Sequence, residues 1–419
     1  MRITIITVGT RGDVQPLLAL GLGLKAAGHK VQLASNPIFE DFVKSRGLDF
    51  APVGDNSQEW VKQFFAQSSR TKSALAKKAI LWRIVGSTVE QMMTDAWNCS
   101  QDTQAIIYSP LTLAAYHIAE KLGVPCYATY VSPITRTRAF PHPLHTSTFN
   151  LGGIYNRLTY VFEEQLRWQL TRKIINRCRQ EILKLPPVPI TGFYSQQQKQ
   201  QLPLLHCFSP SVLPKPSDWP GRAYVTGYWF LDRPDDWQPP QELVDFIAAG
   251  SPPISIGFGS MSDLEAKALT ELVLNALVET KQRGILLTGW GGLSSIDLPD
   301  NVFKIDSVPH DWLFPQMTAV VHHGGTGTTA AVLRAGVPSI TVPFAVDHPF
   351  WGRTVASLGV GTSPILRKDL TAEKLVAAIR TATSDEAMKA RARVLGEKIR
   401  SEDGVARAVE IFHRHLPNY

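Results

Sequence analysis

Cysteine is scarce in this sequence, and the few cysteines form no recognisable pattern. The chain has four, none of them in a C-x-x-C pair: Cys99, Cys126, Cys178 and Cys207. Widely spaced single cysteines indicate neither a disulfide framework nor a zinc site. We therefore expect four reduced thiols that serve as packing residues.

Long hydrophobic runs and repeats are absent as well. No apolar run reaches the roughly 18 residues of a membrane span. Met1 leads directly into a strand-like segment, without the basic start or cleavage site of a signal peptide. These absences predict a cytoplasmic protein. The 29 prolines are spread along the chain, and 44% hydrophobic with 19% charged residues indicates a compact globular protein.

The excess of positive charge is confined to the first half of the chain. Residues 1–210 carry 23 Lys+Arg against 13 Asp+Glu, whereas residues 211–419 carry 20 against 23. In segments 70–83 and 167–184 the cations alternate with Leu, Ile and Trp at helical spacing. Such helices suit peripheral contact with an anionic membrane, and equally two solvated helices with one buried face. No nucleic-acid motif is present, so we expect no nucleic-acid partner.

The length of 419 residues exceeds what one hydrophobic core usually serves, which predicts two domains. Short β-branched runs followed by helical patterns indicate an α/β protein with parallel sheets. The proline-rich stretch LDRPDDWQPP (231–240) reads as a linker. We predict domains at 1–230 and 241–385, followed by helices in 386–419 that pack back toward the first domain. Two doubly wound Rossmann-like domains would face a central cleft with the carboxyl ends of their strands.

The segment HHGGTGTT (322–329) lies between an apolar strand and a helical pattern. Its three glycines let the backbone approach a ligand closely, and the free amides of a helix start favour phosphate. A purely structural tight turn is the alternative. Asp347, in VPFAVDHPFWG (342–352), is suited to accept hydrogen bonds from vicinal sugar hydroxyls, or to cap a helix.

Together these segments resemble a known signature. PHDW (309–312) and the run 322–352 are similar to the nucleotide-sugar motif of the UDP-glycosyltransferase superfamily. The nearest resemblance is to the sterol glucosyltransferases and the glycopeptide-antibiotic glycosyltransferases. The opening motif of that group is similar to VGTRGDVQPLLALGLGLKAAGH (8–29). The resemblance implies the GT-B fold and a metal-independent, inverting transfer of a hexose, with a UDP-sugar as co-substrate and no cofactor.

The resemblance also implies roles for individual residues. Donor contacts are expected from Thr10, Arg11 and Gly12 over the phosphates; Ser260 on a phosphate; Trp290, Ser307, Val308 and Pro309 at the base; His322, Gly324, Gly325, Thr326, Gly327 and Thr328 on the diphosphate; and Asp347 and His348 on the sugar. The resemblance implies UDP-glucose as the donor. His348 stands where most relatives have Gln, so galactose or another sugar stays open.

Asp13 is the candidate general base, since many relatives have a histidine at this position and the sterol and glycopeptide enzymes resemble this chain in having Asp. We expect Asp13 on the turn before a helix that starts near Pro16; the alternative is that it caps this helix. No D-x-D triplet occurs in the chain, so we predict that no metal holds the diphosphate.

The acceptor is the least determined part. Aromatic residues between 60 and 230 suit a lipophilic alcohol, and a sterol-like, triterpenoid, carotenoid, polyphenol or diacylglycerol acceptor all remain open. A nucleotide-sugar epimerase or hydrolase would need acid and base groups around the sugar ring, for which only Asp13, Asp347 and His348 are available. The third alternative is a non-catalytic partner of another glycosyltransferase. The presence of both Asp13 and the phosphate turn argues against it, because such a partner would not need them.

Overall fold

The structure is a computed structural model that describes residues 1–68, 70–71, 73–112, 114–145, 151–192, 203–259, 266–289 and 298–416. The chain forms two compact units. The first comprises Met1–Pro210, Pro214–Leu231 and Asp403–Tyr419, and the second comprises Ser211–Leu213 and Asp232–Glu402. The C-terminal residues are thus divided between the units, whereas the sequence analysis treated 386–419 as one segment.

The first unit is built on a seven-stranded parallel sheet. Its strands are β1 (Arg2–Ile6), β2 (Lys30–Ser35), β3 (Asp49–Pro52), β4 (Ala105–Tyr108), β5 (Cys126–Tyr130), β6 (Leu204–His206) and β7 (Ala223–Val225). Their order is β3-β2-β1-β4-β5-β6-β7, so the direction of winding reverses between β1 and β4. In such a sheet the ligand site lies where the winding reverses, at the carboxyl ends of the strands.

Helices cover this sheet. They are α1 (Arg11–Ala26), α2 (Glu40–Lys44), α3 (Ser57–Ser68), α4 (Ala74–Ser87), α5 (Val89–Cys99), α6 (Ala115–Leu122) and α7 (Gly153–Glu181). The last helix of the chain, which we number α15 (Gly404–Arg414), also belongs to this unit. It packs closely on α1, because a Cβ on Gly23 would lie 2.4 Å from Cγ1 of Val405.

The second unit has a five-stranded parallel sheet. Its strands are β8 (Ile254–Gly257), β9 (Gly284–Leu287), β10 (Val302–Ile305), β11 (Ala319–His322) and β12 (Ser339–Thr341), in the order β10-β9-β8-β11-β12. The winding reverses between β8 and β11. Its helices are α8 (Gln241–Ala248), α9 (Ala266–Thr280), α10 (His310–Leu313), α11 (Thr326–Ala335), α12 (His348–Ser357), α13 (Ala372–Ser384) and α14 (Glu386–Arg400).

Two hydrophobic clusters lie in this second unit. One joins the sheet to α9 and α13 through residues such as Val273 and Ile379, and the other joins it to α8 and α11 through Leu243 and Val332. Helices on both faces explain why the strands are apolar throughout rather than alternating. The predicted fold class, α/β with two doubly wound parallel sheets, is confirmed. Within the described ranges, no helix is both long enough and apolar enough to cross a membrane.

Candidate active site

The glycine-rich turn 322–329 leaves the sheet of the second unit beside the reversal of its winding. Strand β11 ends at His322 and helix α11 begins at Thr326, with Gly325 as the N-cap residue and no side-chain cap. The amides of the first helical turn therefore have no acceptor within the helix, and the helix dipole adds partial positive charge there. This arrangement suits a phosphate group.

Two glycines make this turn sterically feasible. Gly324 has a φ of +85°, and a Cβ on it would lie 3.1 Å from the carbonyl oxygen of His348. A Cβ on Gly325 would lie 2.3 Å from Nε2 of His323. Larger residues would displace the turn, because the neighbours are backbone or a buried ring.

His322 supports the turn from within. Its ring is buried, and Nδ1 accepts the amide hydrogen of Gly324 at 3.1 Å. The ring proton is therefore on Nε2, which donates to Oγ of Ser339 at 2.8 Å. Burial holds the pKa of His322 well below 6.5, so the ring is neutral. Both ring nitrogens are engaged, which leaves neither for the direct diphosphate contact that the sequence analysis expected.

His323 is the residue that the sequence analysis missed. Its ring is also buried, but Nδ1 has no hydrogen-bond partner among the residues that the structure describes. The ring lies against the loop after β8, where a Cβ on Gly259 would be 2.9 Å from Cε1 of His323. An unpaired buried nitrogen costs free energy, so its position at the sheet's reversal point makes His323 a candidate for a ligand contact.

Asp347 connects two loops at the carboxyl edge of the same sheet. Its Oδ2 accepts from Oγ1 of Thr326 at 3.2 Å and from Nε1 of Trp351 at 3.1 Å. Asp347 occupies the N-cap position of α12, yet its side chain makes no capping hydrogen bond. The carboxylate is therefore positioned by one side chain of the glycine-rich turn, Thr326, and one side chain of α12, Trp351, and it does not cap the backbone of that helix.

The residue before Asp347 is strained. Val346 has a φ of +49° and is exposed. A β-branched residue is rare in this left-handed region, and such strain concentrates at functional sites. The strained backbone at Val346 orients the chain where Asp347 follows.

His348 lies underneath the turn. Its ring is buried and meets the ring of His323 edge to face, with 4.8 Å between the centroids. Its Nδ1 has no partner among the described residues. Burial lowers the pKa of His348 to about 3, so the ring is neutral. The predicted sugar contact is thus less exposed than the sequence analysis assumed.

The expected base-binding segment follows β10. Ser307 is exposed, whereas the side chain of Val308 is buried in the cluster with α10 and offers only its backbone to a ligand. Pro309 is the residue before α10. Ser260 and Trp290, the other expected contacts in this unit, lie outside the described residues.

Asp13 follows β1, at the reversal of winding in the first unit. It is the third residue of α1, and its Oδ2 accepts from the amide of Thr10 at 2.8 Å and from the hydroxyl of Thr10 at 3.0 Å. The carboxylate thus contributes to the start of the helix, as in a capping box. The predicted helix start near Pro16 was wrong: the helix begins at Arg11, and Pro16 lies inside it.

Neighbouring loops hold the turn before Asp13 in place. The hydroxyl of Thr7 donates to the carbonyl of Asp13 at 3.1 Å and also contacts the hydroxyl of Ser109 after β4. The amide of Gly9 donates to Oδ1 of Asn36 at 2.9 Å, and a Cβ on Gly9 would lie 2.5 Å from Oδ2 of Asp13.

Thr10, Arg11 and Gly12 are the other expected phosphate contacts of the first unit, and they differ in how accessible they are to a ligand. The guanidinium of Arg11 lies over the ring of Phe42, 4.8 Å from its centroid, and Nε donates to Oε1 of Gln15 at 3.1 Å. Arg11 therefore packs along its own helix and α2. Gly12 is exposed and Thr10 is half-buried, so both are accessible to a ligand.

Comparisons with known proteins agree with this architecture. Residues 3–141 match the family model of the glycosyltransferase family 28 N-terminal domain, and residues 272–411 match that of the erythromycin biosynthesis protein CIII-like C-terminal domain. The sterol 3-beta-glucosyltransferase UGT80B1 of Arabidopsis thaliana is 40% identical over 428 residues, covering 100% of this chain and 68% of that protein. The sterol 3-beta-glucosyltransferase of Emericella nidulans is 41% identical over 99% of this chain, which spans 30% of that longer protein.

Solved structures share the fold at low identity. The glycotransferase of kitacinnamycin has a TM-score of 0.72 at 20% identity, with 99% of both chains covered. The glycosyltransferase SsfS6 of Streptomyces sp. SF2575, solved with thymidine diphosphate, has a TM-score of 0.66 at 20% identity, again with 99% of both chains covered. These similarities confirm the GT-B fold.

Proposed function

Because this chain belongs to the sterol glucosyltransferase family within the UDP-glycosyltransferase superfamily, we propose that it transfers a hexose from a UDP-sugar to a lipophilic alcohol. The proposed donor is UDP-glucose, and the proposed acceptor is the hydroxyl of a sterol-like molecule. The observation that carries the proposal is the uncapped start of α11, at the reversal of a parallel sheet, beside Nδ1 of His323, for which the described part of the chain offers no hydrogen-bond partner. The acceptor class rests on the names of the relatives at about 40% identity.

In the proposed donor site, the amides of Thr326, Gly327 and Thr328 bind the diphosphate. His323 adds a hydrogen bond through Nδ1, and His322 acts indirectly by holding the amide of Gly324. These groups need no reorganisation when charge develops on the leaving UDP, which makes them effective at stabilising it. The same groups offset diphosphate charge without a metal ion.

Asp347 is proposed to bind sugar hydroxyls. Its Oδ2 already accepts from Thr326 and Trp351, so the carboxylate is held in one orientation. A fixed carboxylate discriminates between sugars by the direction of their hydroxyl groups, since a misplaced hydroxyl leaves a hydrogen bond unmade. His348, buried beside His323, is proposed to influence the sugar site from behind the turn.

Asp13 is proposed to be the general base. Thr10 holds its Oδ2, so the carboxylate has a defined orientation from which to accept the proton of an acceptor hydroxyl. The acceptor oxygen forms a bond to the anomeric carbon while the bond from that carbon to the phosphate oxygen breaks. UDP leaves with the electron pair, the proton moves to Asp13, and a single displacement inverts the anomeric configuration.

A carboxylate is a weak base toward a free alcohol, so Asp13 would act late. As the bond to UDP lengthens, the anomeric carbon gains positive charge and the attacking hydroxyl becomes more acidic. Orientation of that hydroxyl is then the main contribution of Asp13. Its contacts with Thr10 also stabilise the helix start, so one residue serves both structure and chemistry.

A transfer assay tests the proposal. The protein is incubated with UDP-glucose labelled in the sugar, with and without a panel of sterols, polyphenols and diacylglycerol. Label is expected in a lipid-extractable sterol glucoside. Release of free glucose without an acceptor would indicate a hydrolase, a changed sugar on UDP would indicate an epimerase, and no turnover with intact UDP binding would indicate a non-catalytic partner.

A further inference from the structure

The first unit presents an exposed apolar surface on two neighbouring helices. Ile154, Leu158 and Phe162 follow one another at intervals of four residues on α7, with 73%, 57% and 49% of their surface exposed. Leu75 on α4 is 54% exposed. We refer to these four residues as the α7 apolar face. Scattered single apolar residues are ordinary on protein surfaces, but several on one helix face indicate an interaction site.

Contacts between α4 and α7 place Leu75 beside the other three residues. Lys78 forms an ion pair with Glu163, and its Nζ lies 5.9 Å from the ring centroid of Phe162. Leu75 precedes Lys78 by about one helical turn, and Leu158 precedes Phe162 by one turn. The guanidinium of Arg167 lies over Trp82, 5.3 Å from its centroid, so the two helices run in the same direction. Leu75 and Leu158 therefore lie at the same end of the helix pair.

Two arginines lie near the start of this face. Arg138 and Arg157 are exposed, and in the part of the chain that the structure describes no direct ion pair joins either of them to a carboxylate. Arg138 lies at the start of α7, because a Cβ on Gly153 would be 2.9 Å from the Cβ of Arg138.

The carboxylates nearby are already engaged. Glu163 pairs with Lys78, and Glu164 pairs with Arg136. Asp218 accepts from the hydroxyl of Thr137 and, at 2.7 Å, from the amide of Arg138. Asp218 keeps its negative charge and attracts Arg157, so Arg138, Arg157 and Asp218 together contribute a net charge of +1 beside the α7 apolar face.

The second half of α7 differs from the first. Arg177 pairs with Glu90, and Arg179 pairs with Glu120 and contacts His117. These cations lie in the basic segment 167–184 of the sequence, yet the fold uses them in internal contacts. What distinguishes the first half of α7 is that three exposed apolar side chains, Ile154, Leu158 and Phe162, follow one another along one side of the helix.

We propose that the α7 apolar face is a docking surface for an anionic lipid bilayer. Ile154, Leu158 and Phe162 enter the boundary between headgroups and acyl chains, while Arg138 and Arg157 lie at the level of the lipid phosphates. Amphipathic helices bind in this way, through buried apolar area and attraction to anionic lipids. The inference goes beyond the proposed reaction and does not depend on it.

Vesicle cosedimentation of the full chain tests this inference. Vesicles of phosphatidylcholine alone are compared with vesicles that also contain phosphatidylserine, at low and high salt. We expect wild-type protein to prefer the anionic vesicles, and we expect Ile154→Asp with Leu158→Asp to lower the partition coefficient at least tenfold. The matched control is Val278→Asp with Val394→Asp, two exposed helical positions of the second unit, and it should bind like wild type.

Charge reversal isolates the electrostatic part. Arg138→Glu with Arg157→Glu should remove most of the preference for anionic vesicles and most of the salt dependence, because exposed charges are screened at high salt. Thermal unfolding of each variant shows whether its fold is retained. Glucosyl transfer to a water-soluble acceptor without vesicles is measured in parallel, so that failure of the proposed reaction is distinguished from failure of the docking surface.

Three results would overturn the inference. One is wild-type protein that binds neither type of vesicle. Another is a folded Ile154→Asp/Leu158→Asp variant that binds as wild type does. The third is sedimentation velocity showing a wild-type dimer that this variant dissociates, since the face would then be an interface between two copies of the chain.

Discussion

The contrast between His322 and His323 yields the most specific prediction about the donor site. His323→Ala removes the ring nitrogen Nδ1 that we assign to the diphosphate. One hydrogen bond to a charged phosphate oxygen contributes about 1.5–3 kcal/mol, so Kd for UDP should rise roughly 10- to 150-fold. The fold should be affected less, because this nitrogen has no partner within the described residues of the protein.

His322→Ala should behave differently. It leaves the hydroxyl of Ser339 and the amide of Gly324 without their imidazole partner inside a buried site. Each unpaired buried group costs about 1–3 kcal/mol, so the main effect is a lower free energy of unfolding. UDP affinity should fall only to the extent that the loss of this hydrogen bond displaces the turn and, with it, the amides of Thr326, Gly327 and Thr328.

Calorimetric titration with UDP and thermal unfolding, measured on both variants, separate the two roles. His323→Asn serves as a matched variant, because an Asn side chain places a polar atom near the position of Nδ1 and should recover part of the affinity. The reasoning is refuted if His323→Ala binds UDP as tightly as wild type while a stably folded His322→Ala variant loses binding.

Three further predictions concern the same unit. Val346→Gly should raise the free energy of unfolding by about 1 kcal/mol in a denaturant titration, since glycine adopts the positive φ of this position without strain; a destabilised variant would show that the valine side chain contributes more than its strain costs. His348→Gln should shift the ratio of kcat/KM for UDP-glucose to kcat/KM for UDP-galactose toward glucose, because the Gln side chain is more flexible and its amide offers a donor and an acceptor. An unchanged ratio would leave Asp347 as the residue that discriminates between the two sugars. Transfer should continue in EDTA, and a complete loss that Mg²⁺ or Mn²⁺ restores would contradict diphosphate binding by amides and His323 alone.

The parallel sheets and both functional turns could be predicted from the sequence because their signals are local. Apolar β-branched runs mark the strands, and a glycine cluster after a strand marks a close approach of backbone to ligand. The reversal points of both sheets then follow from the order of the strands, which places Asp13 and the 322–329 turn at the expected edges. The family resemblance added the expectation that the ligand is a nucleotide sugar.

Other features depend on the three-dimensional arrangement. Successive side chains of a strand point in opposite directions, so which of the two adjacent histidines meets a ligand depends on where β11 ends and what packs on each side. Ser339 forms a hydrogen bond with the ring of His322, whereas the loop at Gly259 packs against the ring of His323. Both neighbours come from distant parts of the chain. The start of α1 was misplaced because the bonds between Thr10 and Asp13 start the helix five residues before Pro16.

The burial of His348 could not be predicted either, because it results from the close approach of Gly324 to the carbonyl of His348. A residue after Asp347 at the carboxyl edge of a sheet would ordinarily be expected to face the ligand. The contacts of the basic segment 167–184 could not be predicted either, because the pairing of Arg177 and Arg179 with glutamates cannot be read from charge spacing.

Above all, we propose that the chain catalyses an inverting glucosyl transfer in which Asp13 accepts the proton of the acceptor hydroxyl. The most direct measurement is steady-state transfer from UDP-glucose to a sterol by wild-type protein and by Asp13→Asn, with UDP affinity determined on both. The account predicts a β-glucoside from wild type, and a loss of kcat in the variant of at least about 10²-fold with Kd for UDP within a few-fold of wild type. An Asp13→Asn variant with near-wild-type kcat would show that this carboxylate only stabilises the start of α1, and would contradict the account.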